Sequence, residues 1–363
     1  MTGFNPSRLR LARDRVGISR VQLSRDAGIS ERSLAGYEAG KHVPPSSTVD
    51  VLARELGVPS AFLYADELEA LPAGAPSFRA VSKLRAGQER AALTSGALAI
   101  EVNRWLEARL RLPAASVPTY ERGADDPVGA ARRLRAEWGL GYAPLKNVVH
   151  LLEGRGVRVF SLPERLADVD AFSFWWEGAP YVVLNTRKSA ERGRFDAAHE
   201  LGHLVMHGDY DQPVGRDKER DANRFAAEFL MPADDVLSRG LRNAGVEQVL
   251  IAKRRWGVAA IALAYRLHEL GATSDWLYAS TCRRLSQMGY RSGEINGAPR
   301  ETSRLLEQSF AALRQRKVTL ADVARDMHVL PDTLRELMFG LALTAVDGGQ
   351  QPSTRPRPNL RVV

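Results

Sequence analysis

The sequence contains a single cysteine, Cys282, among its 363 residues. One thiol excludes an internal disulfide, a zinc site built from cysteines and a cysteine-ligated iron–sulfur cluster. Any bound metal must therefore be held by histidine and carboxylate side chains. Sparse cysteine usage of this kind is typical of the reducing cytoplasm, where we expect the protein to act.

Long apolar runs are also missing. No stretch of 18 uncharged apolar residues occurs, which predicts a protein without a membrane span. Residues 1–15 mix arginines into an apolar pattern, and no apolar stretch with a small-residue cleavage site follows them. We therefore expect a soluble protein with no targeting segment and no membrane partner.

The charge balance is only mildly one-sided. The 51 Lys and Arg residues against 43 Asp and Glu residues give a net charge of +8, which makes nucleic acid a candidate partner. Apolar residues make up 44% of the sequence, enough to build cores and to exclude a chain that is disordered throughout. The length predicts about two to four domains.

Helical patterns dominate both ends of the chain. A turn-rich linker at 71–77 separates the first helical block from an amphipathic pattern at 79–112. Beyond Pro232 nearly all residues have helical patterns up to about residue 346. Residues 350–363, with three Pro and three Arg, have little to bury, and we expect them to be disordered.

Strand-like patterns are confined to the centre of the chain. Three runs rich in Val, Phe, Tyr and Trp lie at 157–162, 171–176 and 181–184, with a hairpin turn predicted at 177–180. Helices predicted at 190–207 and 217–230 follow them, and together these elements predict a small α+β unit.

Residues 17–45 have the pattern of two short helices joined by a tight turn. Ser19 and Ser30 are predicted N-caps, and Ala27-Gly28-Ile29 separates the helices. This is helix-turn-helix geometry, in which the second helix enters the major groove with its N-terminus first. Residues predicted to face the core are Leu23, Ala27, Leu34 and Tyr37.

DNA contacts are predicted on the outer face of this unit. Arginine pairs with guanine and glutamate accepts from cytosine, while cations near the helix ends meet phosphates. Residues predicted to meet base edges are Glu31, Arg32, Ser33 and Gly36. Arg20 and Lys41 are predicted to contact phosphates.

The first 60 residues resemble the helix-turn-helix domains of the phage-repressor and xenobiotic-response-element (XRE) type. The matching positions are Leu23, Gly28, Ile29, Ser30, Glu38, Gly40, Lys41 and Pro44, followed by Leu52, Ala53, Leu56, Gly57 and Val58. The resemblance implies a DNA-binding domain. We expect double-stranded operator DNA as the partner and a homodimer on a two-fold operator, because one recognition helix buries too little surface for tight specific binding.

His199-Glu200-Leu-Gly-His203 is a metal-binding motif on a helical pattern. His199 and His203 are four residues apart, so both imidazoles leave the same helix face and can bind one zinc ion. Glu200 lies one step around the helix, where its carboxylate can act as a general base for hydrolysis.

A third ligand is predicted on the next helix. Glu219 shares a helix face with Asn223, which would support the site, whereas Glu228 points to about the opposite side. Asp209 and Asp211 remain alternatives because loops can fold back. His207, one turn beyond His203, either orients a substrate or only packs.

Further residues around this motif resemble the ImmA/IrrE family of metallopeptidases, which cleave repressors. They are Arg194-Phe195, Glu219 with Asn223, Phe225 and Ala226, Leu230-Met231-Pro232, and the strand at 180–185. The resemblance spans about residues 125–235. It implies a zinc site at His199, His203 and Glu219 with Glu200 catalytic, and a repressor protein as substrate. Tyr181 is a weak candidate for stabilising the oxyanion.

Two later segments, 249–271 and 318–340, each read helix, turn, helix. Either segment is a further DNA-binding element, or it serves for packing or dimerisation. Because both segments are strongly apolar, we favour packing or dimerisation.

The strands before the metal helix also predict a sheet edge that holds a substrate peptide in extended form.

The predicted fold is mainly α and multidomain, with an N-terminal helix-turn-helix bundle, a central α+β zincin-like domain with a small sheet, and a helical C-terminal region. The predicted domain limits are 1–70, 71–124, 125–235, 236–346 and a tail at 347–363. We expect a transcription regulator whose central domain is a zinc peptidase that cleaves a repressor or itself in response to a signal. The alternative is a regulator whose peptidase-like domain is a non-proteolytic sensor or scaffold.

Overall fold

The computed structural model describes residues 3–72, 85–121, 123, 125–208, 216–291, 293–338 and 340–342. The predicted disordered tail, most of the predicted linker and the loop carrying Asp209 and Asp211 lie outside these residues. The chain divides into two compact units. The first comprises Met1–Leu112, Phe160–Val169 and Arg304–Val363, and the second Pro113–Val159 and Asp170–Ser303.

The first unit begins with a small helical bundle. Ser19 and Ser30 cap α2 and α3 through hydrogen bonds accepted from Gln22 N and Ser33 N, as the sequence predicted. Leu23 and Leu34 are fully buried in its core. Its helices are α1 (Pro6–Val16), α2 (Arg20–Ala27), α3 (Glu31–Glu38) and α4 (Ser46–Leu56), followed by a 3₁₀ turn at Ser60–Tyr64.

Helix α5 (Ala86–Glu107) packs directly against α1. At their crossing a Cβ added to Gly87 would lie 2.3 Å from the carbonyl oxygen of Gly17, so only glycine allows this approach. The Arg90 guanidinium also pairs with Asp14 at 2.9 Å. The helix that the sequence predicted after the linker is thus packed onto the helix-turn-helix bundle.

Three further helices complete the first unit: α14 (Arg304–Gln315), α15 (Leu320–Asp326) and α16 (Pro331–Met338). Asp326 on α15 accepts hydrogen bonds from Trp105 Nε1 at 3.2 Å and from Arg109 at 3.1 Å. These contacts join α15 to α5 and to the turn that follows it.

The second unit contains the central helices and most of the sheet, since its first range ends at Val159, within the first strand. Strand β3 (Ala179–Leu184) lies between β1 (Arg158–Ser161) and β2 (Phe172–Trp176). Strand β2 pairs antiparallel with β3 in a register that places Ser173 opposite Val182. The helices around these strands are α6 (Pro127–Glu137), α7 (Val148–Gly154), α8 (Ala190–Met206) and α9 (Arg216–Leu230).

The hairpin between β2 and β3 is tighter than the sequence predicted. Its turn consists of Glu177 and Gly178 alone, with φ values of 47° and 77°. Ala179 and Pro180, predicted in the turn, pair with Trp176 and Trp175. A two-residue turn with positive φ at both positions matches the twist of the strands, which extends β3 toward the turn.

Four helices complete the second unit: α10 (Ala233–Leu237), α11 (Val246–Trp256), α12 (Ala260–Glu269) and α13 (Asp275–Gln287). Glu228 on α9 is buried and pairs with Arg266 of α12 and with Arg132 of α6. This ion-pair cluster ties three helices together.

The architecture confirms the predicted fold class: helices at both ends and a small sheet within a central α+β region. Across the described ranges, no helix combines the length and apolarity needed to cross a bilayer.

Candidate functional site

The three predicted metal ligands lie together. His199 Nε2 and His203 Nε2 are 3.1 Å apart on α8. Glu219 on α9 reaches both rings, with carboxylate oxygens 3.4 Å from His199 Nε2 and 3.4 Å from His203 Nε2. One ligand atom from each of the three residues lies within 4.8 Å of the others. Glu219 thus lies beside the two histidines, and its role as a metal ligand stays a prediction.

A close helix contact brings Glu219 to the histidines. A Cβ added to Gly202 would lie 3.0 Å from Phe225 Cδ1, tighter than ordinary van der Waals contact. Because Gly202 has no side chain, the Phe225 ring rests against the α8 backbone. Helix α9 therefore approaches the face of α8 that carries both imidazoles.

Two polar side chains orient the imidazoles. Asn223 Oδ1 lies 3.0 Å from His199 Nδ1, the supporting position that the sequence predicted. His207 Nδ1 lies 3.1 Å from His203 Nδ1. Each histidine therefore uses Nδ1 in a hydrogen bond and presents Nε2 to the cluster, as metal-binding histidines commonly do. The sequence left two roles open for His207, orienting a substrate or only packing. In the structure its ring contacts His203.

Glu200 lies beside the cluster in a buried setting. Its side chain is 3% exposed, and Ser173 Oγ donates a hydrogen bond of 2.7 Å to Glu200 Oε2. Burial raises the pKa of Glu200, against the lowering influence of His203 and His199. A carboxylate with a raised pKa accepts a proton more readily, which suits the predicted role as a general base.

The electrostatics of the ligand residues reflect their mutual contacts. Burial alone would raise the pKa of Glu219, but the adjacent His199 and His203 rings hold it well below its usual range. Burial would lower the pKa of His199, yet Glu219 and Glu200 keep it above its ordinary value. Burial and the neighbouring His203 lower the pKa of His207 to about 3, so that ring is neutral at pH 7.

The donor set fits a zinc ion. Glu219 Oε1 is buried and makes no hydrogen bond to any residue that the structure describes. This oxygen lies 3.4 Å from His203 Nε2, and a buried carboxylate oxygen without a hydrogen bond is a costly arrangement unless a cation is bound. Two histidines and one glutamate are the protein ligands of one class of catalytic zinc sites.

Other candidates lie elsewhere. Glu228 is in the buried ion-pair cluster with Arg132 and Arg266, away from the histidines. Tyr181 is 2% exposed and stacks on Phe174 with ring centroids 4.9 Å apart. Strand alternation places Phe174 and Tyr181 on the sheet face opposite Ser173 and Glu200. Tyr181 is therefore not at the candidate site.

Ser173 was not singled out from the sequence. It is a buried hydroxyl between two phenylalanines of an otherwise apolar strand. A small polar residue at the buried centre of such a strand needs a hydrogen-bond partner. That signal marks Ser173 as unusual, but the partner is 27 positions away in sequence and is fixed by packing alone.

The predicted DNA-reading surface is largely exposed. Arg20, Glu31, Arg32 and Lys41 are exposed, and Ser33 is half-buried with its hydroxyl 2.8 Å from the Ser30 hydroxyl. The Arg20 guanidinium lies 3.7 Å from the buried Glu38 carboxylate.

The prediction that Gly36 lies on the outer face is wrong. Gly36 is buried, and a Cβ added there would lie 2.9 Å from His42 Cδ2. The chain leaving α3 folds back over this residue, which sequence periodicity within a single helix does not reveal.

Two family models match separate parts of the chain, one containing the predicted DNA-reading residues and the other containing the His/Glu cluster. Residues 7–63 match the model of a helix-turn-helix domain. Residues 152–268 match the IrrE N-terminal-like domain, a peptidase family model. The chain joins a helix-turn-helix domain to an IrrE-like peptidase-family domain. Comparison with curated proteins finds no match to the chain.

The IrrE-like match begins after the predicted start at residue 125 and extends past 235, so it includes α11 and most of α12. It contains the whole His/Glu cluster, and the family is one of zinc metallopeptidases. Together the two matches support a DNA-binding regulator with a peptidase-like domain.

Proposed function

We propose that the chain is a cytoplasmic transcription regulator that binds operator DNA as a homodimer and carries a working zinc metallopeptidase. Its peptidase domain cleaves a repressor, or a second copy of this chain, in response to a signal. The observation that carries the proposal is the convergence of His199, His203 and Glu219 beside the buried Glu200.

Zinc would be held by the Nε2 atoms of His199 and His203 and by the Glu219 carboxylate, and it would supply a Lewis acid for peptide-bond hydrolysis. Glu200 takes up the proton of the attacking water and returns it to the leaving amine. Ser173 fixes the Glu200 carboxylate for that transfer. Asn223 and His207 hold the two imidazoles so that their Nε2 atoms face the same point.

Substrate binding is proposed at strand β2, which is an edge strand of the described sheet. An extended peptide adds to such an edge through main-chain hydrogen bonds. Ser173 on this strand contacts Glu200, so a peptide along β2 passes the catalytic carboxylate. A cavity of about 410 Å³ near the hairpin turn offers space for one side chain of the bound peptide. Its lining residues are Thr119, Trp175, Trp176, Glu177, Gly178 and Gly208.

DNA reading is assigned to the exposed end of α3. Arg32 and Glu31 would contact base edges, with Ser33 beside them, and Arg20 and Lys41 would contact phosphates. A homodimer would place two such helices about 34 Å apart, one helical turn of DNA. A repressor bound at the same operator would then meet the peptidase at high effective concentration.

The deciding experiment measures metal and cleavage together. Purified protein is analysed for zinc and then incubated with repressors encoded beside its gene, with and without operator DNA. The Glu200→Gln variant serves as the matched control because it keeps the three ligands. We expect zinc in both proteins and cleavage by the wild type only, stimulated by DNA.

Two outcomes would contradict the proposal in different ways. Zinc binding without cleavage under any condition would favour the alternative, a sensor or scaffold domain. Rapid cleavage of unrelated peptides without DNA would contradict selection by delivery at the operator.

A further inference from the structure

Residues 319–338 repeat the N-terminal helix-turn-helix at a constant numbering offset. Helices α3 and α16 span Glu31–Glu38 and Pro331–Met338, so the second helix of each pair has the same length and the same position after adding 300. The first helices, α2 and α15, begin at Arg20 and Leu320. Neither matching family model includes residues 319–338.

The turns between the helices also agree. Gly28 and His328 both have left-handed backbone, with φ values of 65° and 54°. Ile29 N donates to Ser24 O at 3.0 Å, and Val329 N donates to Ala324 O at 2.9 Å. Histidine adopts positive φ only at an energetic cost, so the turn is maintained by its surroundings.

Caps and core positions follow the same correspondence. Ser19 and Thr319 each accept a hydrogen bond from the backbone three residues later. Leu23 and Leu34 are buried in the first pair, and Val323 and Leu334 are buried in the second. The two segments therefore share backbone geometry, caps and core, which are the features that define a helix-turn-helix.

Their outer surfaces differ in charge. Residues 19–38 contain three arginines and three acids, whereas residues 319–338 contain two arginines and four acids. At the start of the second helix, exposed Arg32 corresponds to exposed Asp332, which accepts a hydrogen bond from Arg335 at 2.5 Å. An acid in this position repels DNA phosphates, and the adjacent arginine is already paired with it.

The second helix of the repeat is also occupied by protein contacts. Arg15 Nη1 donates to Thr333 Oγ1 at 3.4 Å, and Arg165 pairs with Glu336 at 2.9 Å. Arg165 Nε donates to Arg15 O at 3.1 Å. Arg15 also donates to the carbonyl oxygens of Leu56 and Gly57 at 2.7 and 2.8 Å, at the end of α4. Helix α16 is thus joined through Arg15 to α1 and α4 of the DNA-binding bundle.

Charge makes Glu336 central to this contact. Arg15 is buried, and both its burial and the nearby Arg165 lower its pKa, while Glu336 opposes that effect. Two guanidiniums near one another need a compensating carboxylate, and Glu336 supplies it.

We infer that residues 319–338 are a second helix-turn-helix whose second helix does not read DNA but holds the DNA-binding bundle in place. Each chain then reads DNA through α3 alone, while α16 contacts Arg15 of α1 through Thr333 and pairs with Arg165 through Glu336. Arg15 in turn connects α16 to the end of α4. This inference goes beyond the proposed function and does not require peptidase activity.

DNA reading is tested with the full-length protein and a fluorescent duplex that the wild type selects from a randomised pool. Arg32→Ala and Arg335→Ala remove arginines from the paired helices, and Asp332→Ala removes the acid. We expect Arg32→Ala to lower affinity at least fivefold and the two α16 variants to leave it within twofold. A loss with Arg335→Ala comparable to that with Arg32→Ala would overturn the inference.

The holding contact is tested by hydrogen exchange in α4 of the same full-length protein. Thr333→Val removes only the hydroxyl acceptor of Arg15, Glu336→Gln removes the compensating charge, and Glu67→Gln changes an exposed glutamate of the same unit. We expect at least threefold faster exchange in the last turn of α4 for Glu336→Gln, a smaller increase for Thr333→Val, and no change for Glu67→Gln.

Unchanged exchange in both α16 variants would refute the holding role. Failure of the wild type to select any duplex would contradict the proposed DNA-binding function, while the exchange measurement would still test the contact between α16 and the bundle.

Discussion

Ser173 Oγ on β2 donates a hydrogen bond of 2.7 Å to Glu200 Oε2 on α8. The same hydroxyl lies 3.2 Å from the Glu200 carbonyl oxygen, so the strand is fixed to the helix at the residue proposed as general base. The catalytic carboxylate thus depends for its orientation on the strand proposed to hold the substrate.

Replacing Ser173 should separate catalysis from metal binding. Ser173→Ala removes the donor to Glu200 but leaves the three ligands in place, so we expect unchanged zinc content. A hydrogen bond to a charged group is worth about 1.5–3 kcal/mol, and losing about 1.4 kcal/mol of transition-state stabilisation lowers kcat roughly tenfold, which is the loss we expect. Zinc analysis and single-turnover cleavage of a repressor that the wild type is found to cut measure both quantities.

Ser173→Thr is the matched control because it keeps a hydroxyl at the same position. It should restore most of the activity lost in Ser173→Ala. Loss of zinc in Ser173→Ala would instead mean that the hydroxyl supports the fold of the site and not the orientation of Glu200.

The two glutamates of α9 should respond differently to substitution. Glu219→Ala removes a proposed ligand, so zinc occupancy should fall sharply while the fold persists. Glu228→Ala leaves Arg266 and Arg132 without their buried carboxylate, which typically costs about 3–5 kcal/mol of stability. Zinc content of the folded fraction and urea unfolding distinguish the two effects. Greater zinc loss in Glu228→Ala than in Glu219→Ala, at equal folded fraction, would refute the ligand assignment.

A methyl group at Gly202 should disturb the metal site from a distance. In Gly202→Ala the new Cβ meets the Phe225 ring at 3.0 Å, so the ring must shift by a few tenths of an ångström, and we expect this shift to move α9 and Glu219 relative to the histidines. We expect a stability loss of about 1–3 kcal/mol, typical of overpacking, together with weaker zinc binding. Gly193→Ala on the same helix is the control, since its Cβ would have no neighbour within 4 Å. Similar zinc affinity in the two variants would contradict this account.

The metal motif was readable from the sequence because its geometry is local. A four-residue spacing on one helix fixes the relation of His199 to His203, and helix phase selected Glu219 over Glu228. The roles of Ser173 and Gly202 could not be predicted from the sequence because they depend on which elements pack together. Gly36 was misplaced for the same reason, since His42 covers it after the chain turns back.

The second helix-turn-helix could be predicted only in part from the sequence, for a different reason. The sequence pattern at 318–340 predicts helix, turn, helix, but it does not reveal the correspondence with the N-terminal unit. Of twenty corresponding positions only Arg25, Asp26 and Leu34 keep the same residue, at 325, 326 and 334. Backbone conformation, caps and burial carry the correspondence instead. Such features become comparable only in three dimensions.

An ion-pair cluster around Asp235 should make stability sensitive to acid. Burial raises the pKa of Asp235, but hydrogen bonds from Arg255, Arg239 and Trp256 outweigh that effect and lower it to about 2. Because the folded-state pKa is below the ordinary value of 3.8, this stabilisation is fully present above about pH 5 and is lost as the pH falls toward 2.

The stability difference between wild type and Asp235→Asn should therefore be largest near pH 6 and shrink below pH 4. Urea unfolding at several pH values measures it, with the exposed neighbour Asp234→Asn as the control. A difference that stays constant from pH 6 to pH 3 would show that packing, and not charge, accounts for the effect of Asp235.

The proposed DNA contacts predict that two arginine variants lose DNA affinity in distinct ways. Arg32 is exposed at the first turn of α3, so Arg32→Ala should cost about 1–3 kcal/mol on the preferred duplex and relax base preference at one position. Arg20 is placed for a phosphate, and Arg20→Ala should weaken all sequences alike and reduce the salt slope by about one unit. Anisotropy titrations of preferred and scrambled duplexes across a salt series separate these outcomes.

The Arg20 guanidinium is 3.7 Å from Glu38, and Arg13 pairs with the same carboxylate at 2.6 Å. Glu38 therefore retains a cationic partner in Arg20→Ala, and the fold should persist. If Arg20→Ala altered base preference while leaving the salt slope unchanged, Arg20 would be a base-reading residue and its assignment to a phosphate would be wrong.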